Sequence, residues 1–189
     1  LTGTAQAVTQ CVVSSSDIAG VDFGFNHNTI ANTNNSGQGT LRQVITNMNT
    51  LGGDASLAQS GLVAAKDDAV FMISNGTSAP GLRASNNYFS GGAATVNLAS
   101  GLPTISTVMI IDAQKQPSWT GAPVIQLNGE NAAASGLLIT GGNTTVRGLI
   151  INRFNTWNGI QVTTNGGNTI AGNFIGTDSA GVAALSPRL

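Results

Sequence analysis

Short apolar runs, broken by Gly and Asn, recur along the second half of the chain. The run Gly136–Thr140 returns as Gly159–Thr163, 23 residues later, and Thr145–Gly148 returns as Thr169–Gly172, 24 residues later. Apolar residues recur at every second position within these runs, as at Leu137 and Ile139, which is the period of a strand and not of a helix. Strands repeated every two dozen residues are typical of a solenoid that stacks strand upon strand. The pattern therefore predicts an all-β fold, a parallel β-helix.

Glycine and asparagine fill the predicted corners between these strands, at 141–143 and 165–168. Both residue types tolerate positive φ at little cost. Asn143 and Asn168 are expected one coil apart, about 4.8 Å, where side-chain amides can form a ladder. A β-sandwich with similar loops is the alternative, and the doubled match in spacing and residue type favours the β-helix.

One segment, starting at Thr40, has helical periodicity. Thr40 and Gln43 have the spacing of a capping box, and Gly52 and Gly53 follow the segment. A solenoid must cover the apolar end of its first coil, and an amphipathic helix can do so. The pattern therefore predicts one N-terminal capping helix, with its apolar face formed by Leu41, Val44, Ile45 and Met48.

The chain before this helix does not share the repeat. Residues 1–25 are β-prone, residues 26–39 form a predicted linker, and residues 40–189 form the predicted capped β-helix domain. An unpaired N-terminal strand leaves backbone N–H and C=O groups that need a partner, and so does a last coil without a capping helix. Self-association, or docking with neighbouring domains, is therefore expected through the candidate assembly residues Val8, Val12, Val21, Phe23 and Phe25.

Composition narrows the function classes. Only 8% of the residues are charged and the net charge is −1, so the chain has no basic footprint for nucleic acid. No apolar run approaches the 18 residues of a membrane span, so no membrane insertion is predicted. Low charge with 25 glycines suits an extracellular or cell-surface protein. Cys11 is the only cysteine, and a buried inert thiol is favoured over an intermolecular disulfide.

Four stretches carry a family resemblance: Asn34–Gln43, Val108–Pro117, Val146–Phe154 and Gly167–Asp178. In these stretches the chain resembles bacterial surface and secreted proteins of the right-handed, pectate-lyase-like parallel β-helix group. The resemblance implies a right-handed solenoid of the kind found in large adhesins and surface-layer components. The segment Val21–Phe25 looks like the closing strand of an immunoglobulin-like B-type repeat domain, which is found beside such β-helices.

The acidic residues do not form a predicted catalytic cluster. Enzymes that resemble this group use several carboxylates, around calcium in lyases and across a groove in hydrolases. Here Asp67 and Asp68 are adjacent and predicted to lie in a solvated turn, while Asp112 and Glu130 are expected to cap corners. His27 has no second His or Cys with which to share a metal. No catalytic residue, metal or cofactor is therefore predicted.

Three aromatic residues are candidate carbohydrate or partner contacts: Trp119, Trp157 and Tyr88. They leave a carbohydrate-binding module as the alternative function, with a polysaccharide lyase or hydrolase less favoured. The expected function is a non-catalytic extracellular structural or adhesive surface protein. Such a protein could self-assemble into filaments or a surface layer through its N-terminal strand and its open last coil.

Overall fold

The computed structural model describes residues 28–51, 66–80, 82, 86–130, 132–155 and 157–185. One α-helix, α1 (Leu41–Leu51), and a 3-10 helix at Ala113–Lys115 accompany twelve strands in these ranges. The strands are β1 Thr29–Ile30, β2 Asp67–Phe71, β3 Phe89–Ser90, β4 Ala93–Asn97, β5 Met109–Asp112, β6 Ile125–Asn128, β7 Leu137–Ile139, β8 Thr145–Arg147, β9 Leu149–Asn152, β10 Ile160–Val162, β11 Thr169–Ala171 and β12 Phe174–Ile175.

The strands form three sheets. Sheet 1 has the order β1-β2-β5-β8-β11 and is parallel throughout. Sheet 2 pairs β7 with β10 in parallel, and sheet 3 has the order β3-β4-β6-β9-β12. The β3–β4 pair is antiparallel, so sheet 3 is mixed. Each of the last three strands thus pairs with the strand three places before it in the chain.

The register of the last strands follows the sequence repeat. Leu137 of β7 pairs with Ile160 of β10, and Thr145 of β8 pairs with Thr169 of β11. The prediction that the repeated runs lie side by side is confirmed by these pairings. Earlier pairings span more residues, as between Ile110 and Thr145, because longer loops separate the earlier strands.

The predicted fold class, an all-β right-handed parallel β-helix, is contradicted by the described structure. A helix packs on parallel and mixed sheets, so the fold is mixed α/β, and the described residues do not show a closed solenoid. The repeat specifies which strands are neighbours, but neighbouring strands do not by themselves close three sheets into a coil. The antiparallel β3–β4 pair and the uneven loop lengths interrupt the regular repeat that the prediction assumed.

The three sheets share one apolar core. Along β6, Ile125 and Leu127 are buried while Gln126 and Asn128 are partly exposed, the alternation expected of a strand with one face on a core. All four residues of β9 are buried, as are all four of β5. The core draws on each sheet, with Met109, Ile111 and Val146 from sheet 1, Leu137 and Ile139 from sheet 2, and Val96, Leu127 and Ile151 from sheet 3.

The helix predicted from periodicity is present and extends from Leu41 to Leu51. The Gln43 N–H donates to Thr40 Oγ1 at 3.2 Å, as in a capping box. The Gln43 side chain does not complete the box, because its amide donates to Asn47 Oδ1 at 2.8 Å. The buried residues of the helix are Leu41, Val44, Ile45 and Met48.

Helix α1 lies against β1 and β2 and reaches the edge of sheet 2. Ile105 extends sheet 2 by a parallel bridge to Ile139. On either side of Ile105, Asn49 of the helix donates to the Thr104 carbonyl at 2.7 Å and accepts from the Ser106 N–H at 3.0 Å. The helix therefore satisfies backbone groups that a further strand would otherwise pair with.

Strand β1 lies within residues 26–39, the predicted linker, and its Ile30 is fully buried. Ile30 pairs with Phe71 of β2, so this segment is part of sheet 1. The candidate assembly residues in the N-terminal segment lie outside the described residues, together with Cys11 and His27.

Candidate functional site

Three strands, β10, β11 and β12, each stand last in their sheet. We call them the open layer. Their outer apolar side chains are close to half exposed: Val162 at 44%, Ile170 at 42% and Ile175 at 49%. All three residues of β11 are exposed. Each strand of the open layer has one edge with no strand beside it in the described structure, and such an edge can accept another strand.

The layer before it has the opposite character at the same positions. Val162 pairs with Ile139, Ile170 with Val146 and Ile175 with Ile151. The three inner partners are 0%, 0% and 1% exposed. The residue types are alike, so the difference in exposure reflects what lies beyond each layer: the open layer covers the inner partners, and no strand among the described residues covers the open layer.

Asparagine side chains fasten the open layer to the layer before it. Asn173 Oδ1 accepts from the Leu149 N–H at 3.0 Å, and its Nδ2 donates to the Val146 carbonyl at 3.0 Å. One amide thus bonds two backbone groups where β8 turns into β9. Both hydrogen bonds join Asn173 to backbone groups of the layer before it, so this side chain fixes the register between the two layers.

The predicted Asn143–Asn168 ladder is replaced by a side-chain to backbone bond. Asn168 Oδ1 accepts from the Thr144 N–H at 3.0 Å, while Asn143 has a positive φ of 57°. An amide ladder does occur on sheet 3, where Asn128 Nδ2 donates to Asn97 Oδ1 at 2.8 Å. The sequence pattern suggested the type of interaction but placed it on the wrong sheet.

A turn at the end of the described chain packs on the open layer. Asp178 Oδ1 accepts from the backbone N–H groups of Val182 and Ala183, at 3.0 and 3.2 Å. These bonds, above all the one from Ala183, lower the pKa of Asp178. A Cβ on Gly181 would lie 2.8 Å from the Phe174 ring, so the turn fits closely on that ring.

Two ion pairs lie on sheet 1 and its adjoining loop. Lys115 donates to Asp68 Oδ2, and Arg147 donates to Asp112 Oδ2 at 2.7 Å. Asp68 lies on β2 and is buried, so the prediction that it occupies a solvated turn is wrong. Asp112 also accepts from the Gln114 N–H at 3.0 Å, which fits its predicted capping role.

Burial dominates the electrostatics of Asp68. Desolvation raises the pKa of Asp68, and the hydrogen bond and charge of Lys115 oppose that rise only in part. Its second oxygen, Oδ1, is buried without a hydrogen-bond partner. The hydrogen bond to Asp112 raises the pKa of Arg147. No local sequence signal identifies the Asp68–Lys115 pair, because its members are 47 residues apart.

These acids are poorly placed to act on a substrate. The side chain of Asp68 is 0% exposed and that of Asp112 is 2% exposed, and each forms an ion pair with a basic side chain. Within the described ranges, no group of three or more His, Cys, Asp or Glu side chains could hold a metal ion. A cleft beside Asn75 and Gln116 encloses about 120 Å³, well below the several hundred that a typical ligand pocket offers.

The candidate aromatic contacts lie on three separate loops. Trp157, between β9 and β10, is 52% exposed. Trp119 follows the 3-10 helix and is partly buried, and its backbone N–H donates to the Gln116 carbonyl at 2.8 Å. Tyr88 packs against the core. Of the three, Trp157 presents the most surface to a ligand or partner.

Phe154 anchors the loop that carries Trp157. A Cβ on Gly129 would lie 2.3 Å from the Phe154 ring, and one on Gly136 would lie 2.6 Å from it. Both positions must therefore be glycine for the Phe154 ring to pack there. Arg153, at a φ of 61°, donates to Glu130 at 3.1 Å. The Arg153 side chain is partly exposed.

Comparisons with known proteins give no assignment. No family model, no curated protein and no solved structure matches the chain. Among the described residues, no helix is long and apolar enough to cross a membrane.

Proposed function

We propose that the protein is a non-catalytic extracellular structural or adhesive surface protein that associates with further copies of itself through the open layer. The observation that carries the proposal is the exposure of Val162, Ile170 and Ile175 in a layer whose inner counterparts are buried. Covering these half-exposed side chains contributes about 1 kcal/mol each. The free strand edges add main-chain hydrogen bonds to that gain.

The open layer is polar but uncharged, which favours a protein surface of low charge over a charged partner. From Ile160 to Gly176 the sequence contains no charged residue. A second copy of the chain, itself only 8% charged, meets no like-charge repulsion at this surface. In proteins that remain monomeric, edge strands commonly carry Lys or Pro, which hinder pairing with another chain. Strands β10, β11 and β12 contain neither residue.

Sedimentation velocity and negative-stain microscopy of the full chain test the proposal. We expect concentration-dependent assemblies of the natural chain, and their loss in Ile170→Asp, which places a charge at the exposed edge. Thr46→Asp, on the exposed face of α1, is the matched control and should assemble normally. A monomeric natural chain, or assemblies unaffected by Ile170→Asp, would contradict the proposal.

The non-catalytic part of the proposal is supported by the enclosure of Asp68 and Asp112 in ion pairs. We expect no cleavage of polygalacturonate, pectin or alginate, with or without calcium. Turnover that Asp112→Asn abolishes would overturn this part.

Carbohydrate binding remains the second candidate, favoured by the exposed indole of Trp157. Aromatic side chains combine a large apolar face with a polar handle, which suits stacking on a sugar ring. Binding of oligogalacturonides and of neutral cello-oligosaccharides, measured by titration calorimetry, should then be lost in Trp157→Ala and kept in Trp119→Ala.

A further inference from the structure

Four asparagines of the described ranges are each followed directly by a glycine: Asn75, Asn128, Asn158 and Asn165. An Asn–Gly pair can undergo an internal reaction, because glycine has no side chain to hinder attack of its backbone nitrogen on the asparagine amide. Asparagine is accordingly among the residues that are chemically unstable at high temperature. The surroundings of each pair determine which backbone is free to react.

Hydrogen bonds protect two of the four glycine nitrogens. The Gly76 N–H donates to Ser74 Oγ at 3.1 Å. The Gly129 N–H donates to the Asn152 carbonyl at 3.0 Å. A bonded backbone must open locally before its nitrogen can attack, and this opening costs free energy. We therefore expect slow reaction at both of these pairs.

The third pair, Asn158 and Gly159, is held against sheet 2. The Asn158 carbonyl accepts from the Gly136 N–H and the Gly159 carbonyl accepts from the Leu137 N–H, both at 2.9 Å. A Cβ on Gly159 would lie 2.8 Å from the Ile151 side chain. This backbone is therefore bonded on one side and crowded on another, which hinders the rotation that the attack requires.

The fourth pair, Asn165 and Gly166, lies at the corner between β10 and β11 of the open layer, and both residues are exposed. No described residue accepts a hydrogen bond from the Gly166 N–H, and a Cβ on Gly166 would meet nothing within 4 Å. The two carbonyl oxygens accept hydrogen bonds, from Asn168 Nδ2 at 2.8 Å and from the Asn143 N–H at 3.0 Å. These bonds do not involve the attacking nitrogen.

We propose that Asn165–Gly166 is a spontaneous modification site, at which loss of ammonia places a carboxylate in the open layer and so limits assembly. The Gly166 nitrogen bonds to Asn165 Cγ, and the Cγ–Nδ2 bond breaks. The proton of the Gly166 nitrogen leaves with Nδ2 as ammonia, and a cyclic imide remains. Water then adds to either carbonyl of the imide and opens the ring, which gives aspartate or its β-linked isomer. The effect on assembly rests on the proposed function, whereas the reaction itself does not.

The product carries a negative charge where the open layer has none, since the sequence from Ile160 to Gly176 contains no charged residue. Asn165 Nδ2 donates to the Thr140 carbonyl at 2.7 Å, which joins the open layer to the layer before it. A carboxylate cannot donate this bond, because it only accepts. In an assembly that covers the open layer, the new charge would also lose contact with water, at a cost in free energy. The reaction therefore favours separate copies.

Peptide mapping by mass spectrometry of the full chain, aged in mildly alkaline buffer, tests the reaction. We expect conversion of Asn165 to be at least about tenfold faster than that of Asn75 or Asn128, because the protected backbones must open first. Gly166→Ala is the matched variant, since its methyl group hinders the attack and has open space around it. This variant should lose most of the conversion at position 165 and keep that at Asn158. Equal rates at Asn165 and Asn128, or no slowing in Gly166→Ala, would overturn the site.

Sedimentation velocity separates this inference from the proposed function. The fresh natural chain should assemble, and Asn165→Asp should remain monomeric with unchanged circular dichroism. Asn165→Ala, which loses the bond to Thr140 without adding a charge, should still assemble. Full assembly of Asn165→Asp, or loss of assembly in both variants at position 165, would overturn the role of the charge and leave the open-layer proposal intact.

Two further outcomes bear on both proposals. Assemblies that resist both Ile170→Asp and Asn165→Asp would contradict the open layer as the interface and the charge as its regulator. A fresh natural chain that is monomeric would contradict the proposed function and the effect on assembly, while the rates from peptide mapping would still decide the reaction.

Discussion

Helix α1 covers the first edge of sheet 1 and reaches that of sheet 2, whereas no helix among the described residues covers the open layer at the opposite edges. At the first end, α1 packs against β1 and β2, and Ile30 and Ile105 are fully buried. At the other end, Ile170 and Ile175 remain nearly half exposed although they lie on the same kind of strand. The helix supplies both an apolar face and side-chain hydrogen bonds from Asn49, whereas the described residues place a turn, and not a helix, on the open layer.

Burial in these strands therefore depends on the neighbouring layer and not on the residue type. An isoleucine in β9 and an isoleucine in β12 are direct register partners, Ile151 and Ile175, yet one is buried and the other is not. Equivalent substitutions at the two ends should therefore change the free energy of unfolding of the isolated chain by different amounts. The two changes should become similar if a partner covers the open layer.

The largest effect is expected for a charge under the helix. Ile45→Asp places an unpaired carboxylate among apolar side chains and should lower the free energy of unfolding by on the order of 4 kcal/mol. Ile175→Asp should cost far less in the monomer, because the new charge reaches water. Urea denaturation monitored by circular dichroism measures both, with Thr46→Asp as the surface control. Equal losses at positions 45 and 175 would remove the distinction between the two ends.

Shortening the side chains of the paired residues Ile151 and Ile175 tests the same difference between the two layers. Ile151→Ala should cost about 2–5 kcal/mol, since it leaves a cavity in the core. Ile175→Ala should cost less than about 1 kcal/mol in dilute solution, because about half of the side chain is already in water. In assembled protein, the cost at position 175 should rise towards that at position 151. A cost that stays the same at every protein concentration would argue against a covered open layer.

Two corner glycines test the same contrast on the backbone. A Cβ on Gly142 would lie 2.8 Å from the Gly166 carbonyl oxygen of the next layer, so Gly142→Ala should cost about 1–3 kcal/mol. A Cβ on Gly166, in the open layer, meets nothing within 4 Å. Gly166→Ala should be close to neutral in thermal unfolding of the monomer. A similar loss from both substitutions would mean that the corner of the open layer is also tightly packed.

The smallest effects concern pH, and two acids should respond in opposite directions. Burial raises the folded-state pKa of Asp68 above its usual 3.8, so ionised Asp68 opposes folding. The stability of the natural chain relative to Asp68→Asn should therefore fall as pH rises from about 4 through the raised pKa. A difference that grows with pH over this range would contradict the raised pKa.

Asp178 at the open end has a lowered pKa because backbone N–H groups bond its carboxylate. Its contribution is complete above the unfolded pKa of 3.8 and is lost as pH falls through the folded value. Stability relative to Asp178→Asn should therefore rise with pH below about 4 and then stay level. Carboxyl chemical shifts followed by NMR check both directions residue by residue.

Local patterns were sufficient for several elements. The apolar spacing of Leu41, Val44, Ile45 and Met48 predicted both the helix and its buried face, because a helix of period 3.6 can bury only one stripe. The repeats predicted the pairing of β7 with β10 and of β8 with β11, since similar segments at one offset can align in register.

Other features depended on residues distant in the chain. The class of the fold was predicted wrongly, because the repeat says nothing of how the earlier strands and the helix complete the sheets. Asp68 was assigned to a solvated turn because it follows Lys66 and Asp67 in a predicted loop just before a strand. Its burial depends on the loop after β5, which brings Lys115 to it. The placement of Phe154 depends on Gly129 and Gly136, where a Cβ would overlap its ring.

The period of the strands, the helix and the scarcity of charge can be read from the sequence alone, because each depends on the spacing or the count of residue types. Which of the repeated strands is covered, and which acid is buried, becomes visible only in the packed fold. The physical reason is that Ile151 and Ile175 have the same intrinsic preference for burial, and what separates them is the presence of another layer beyond the first.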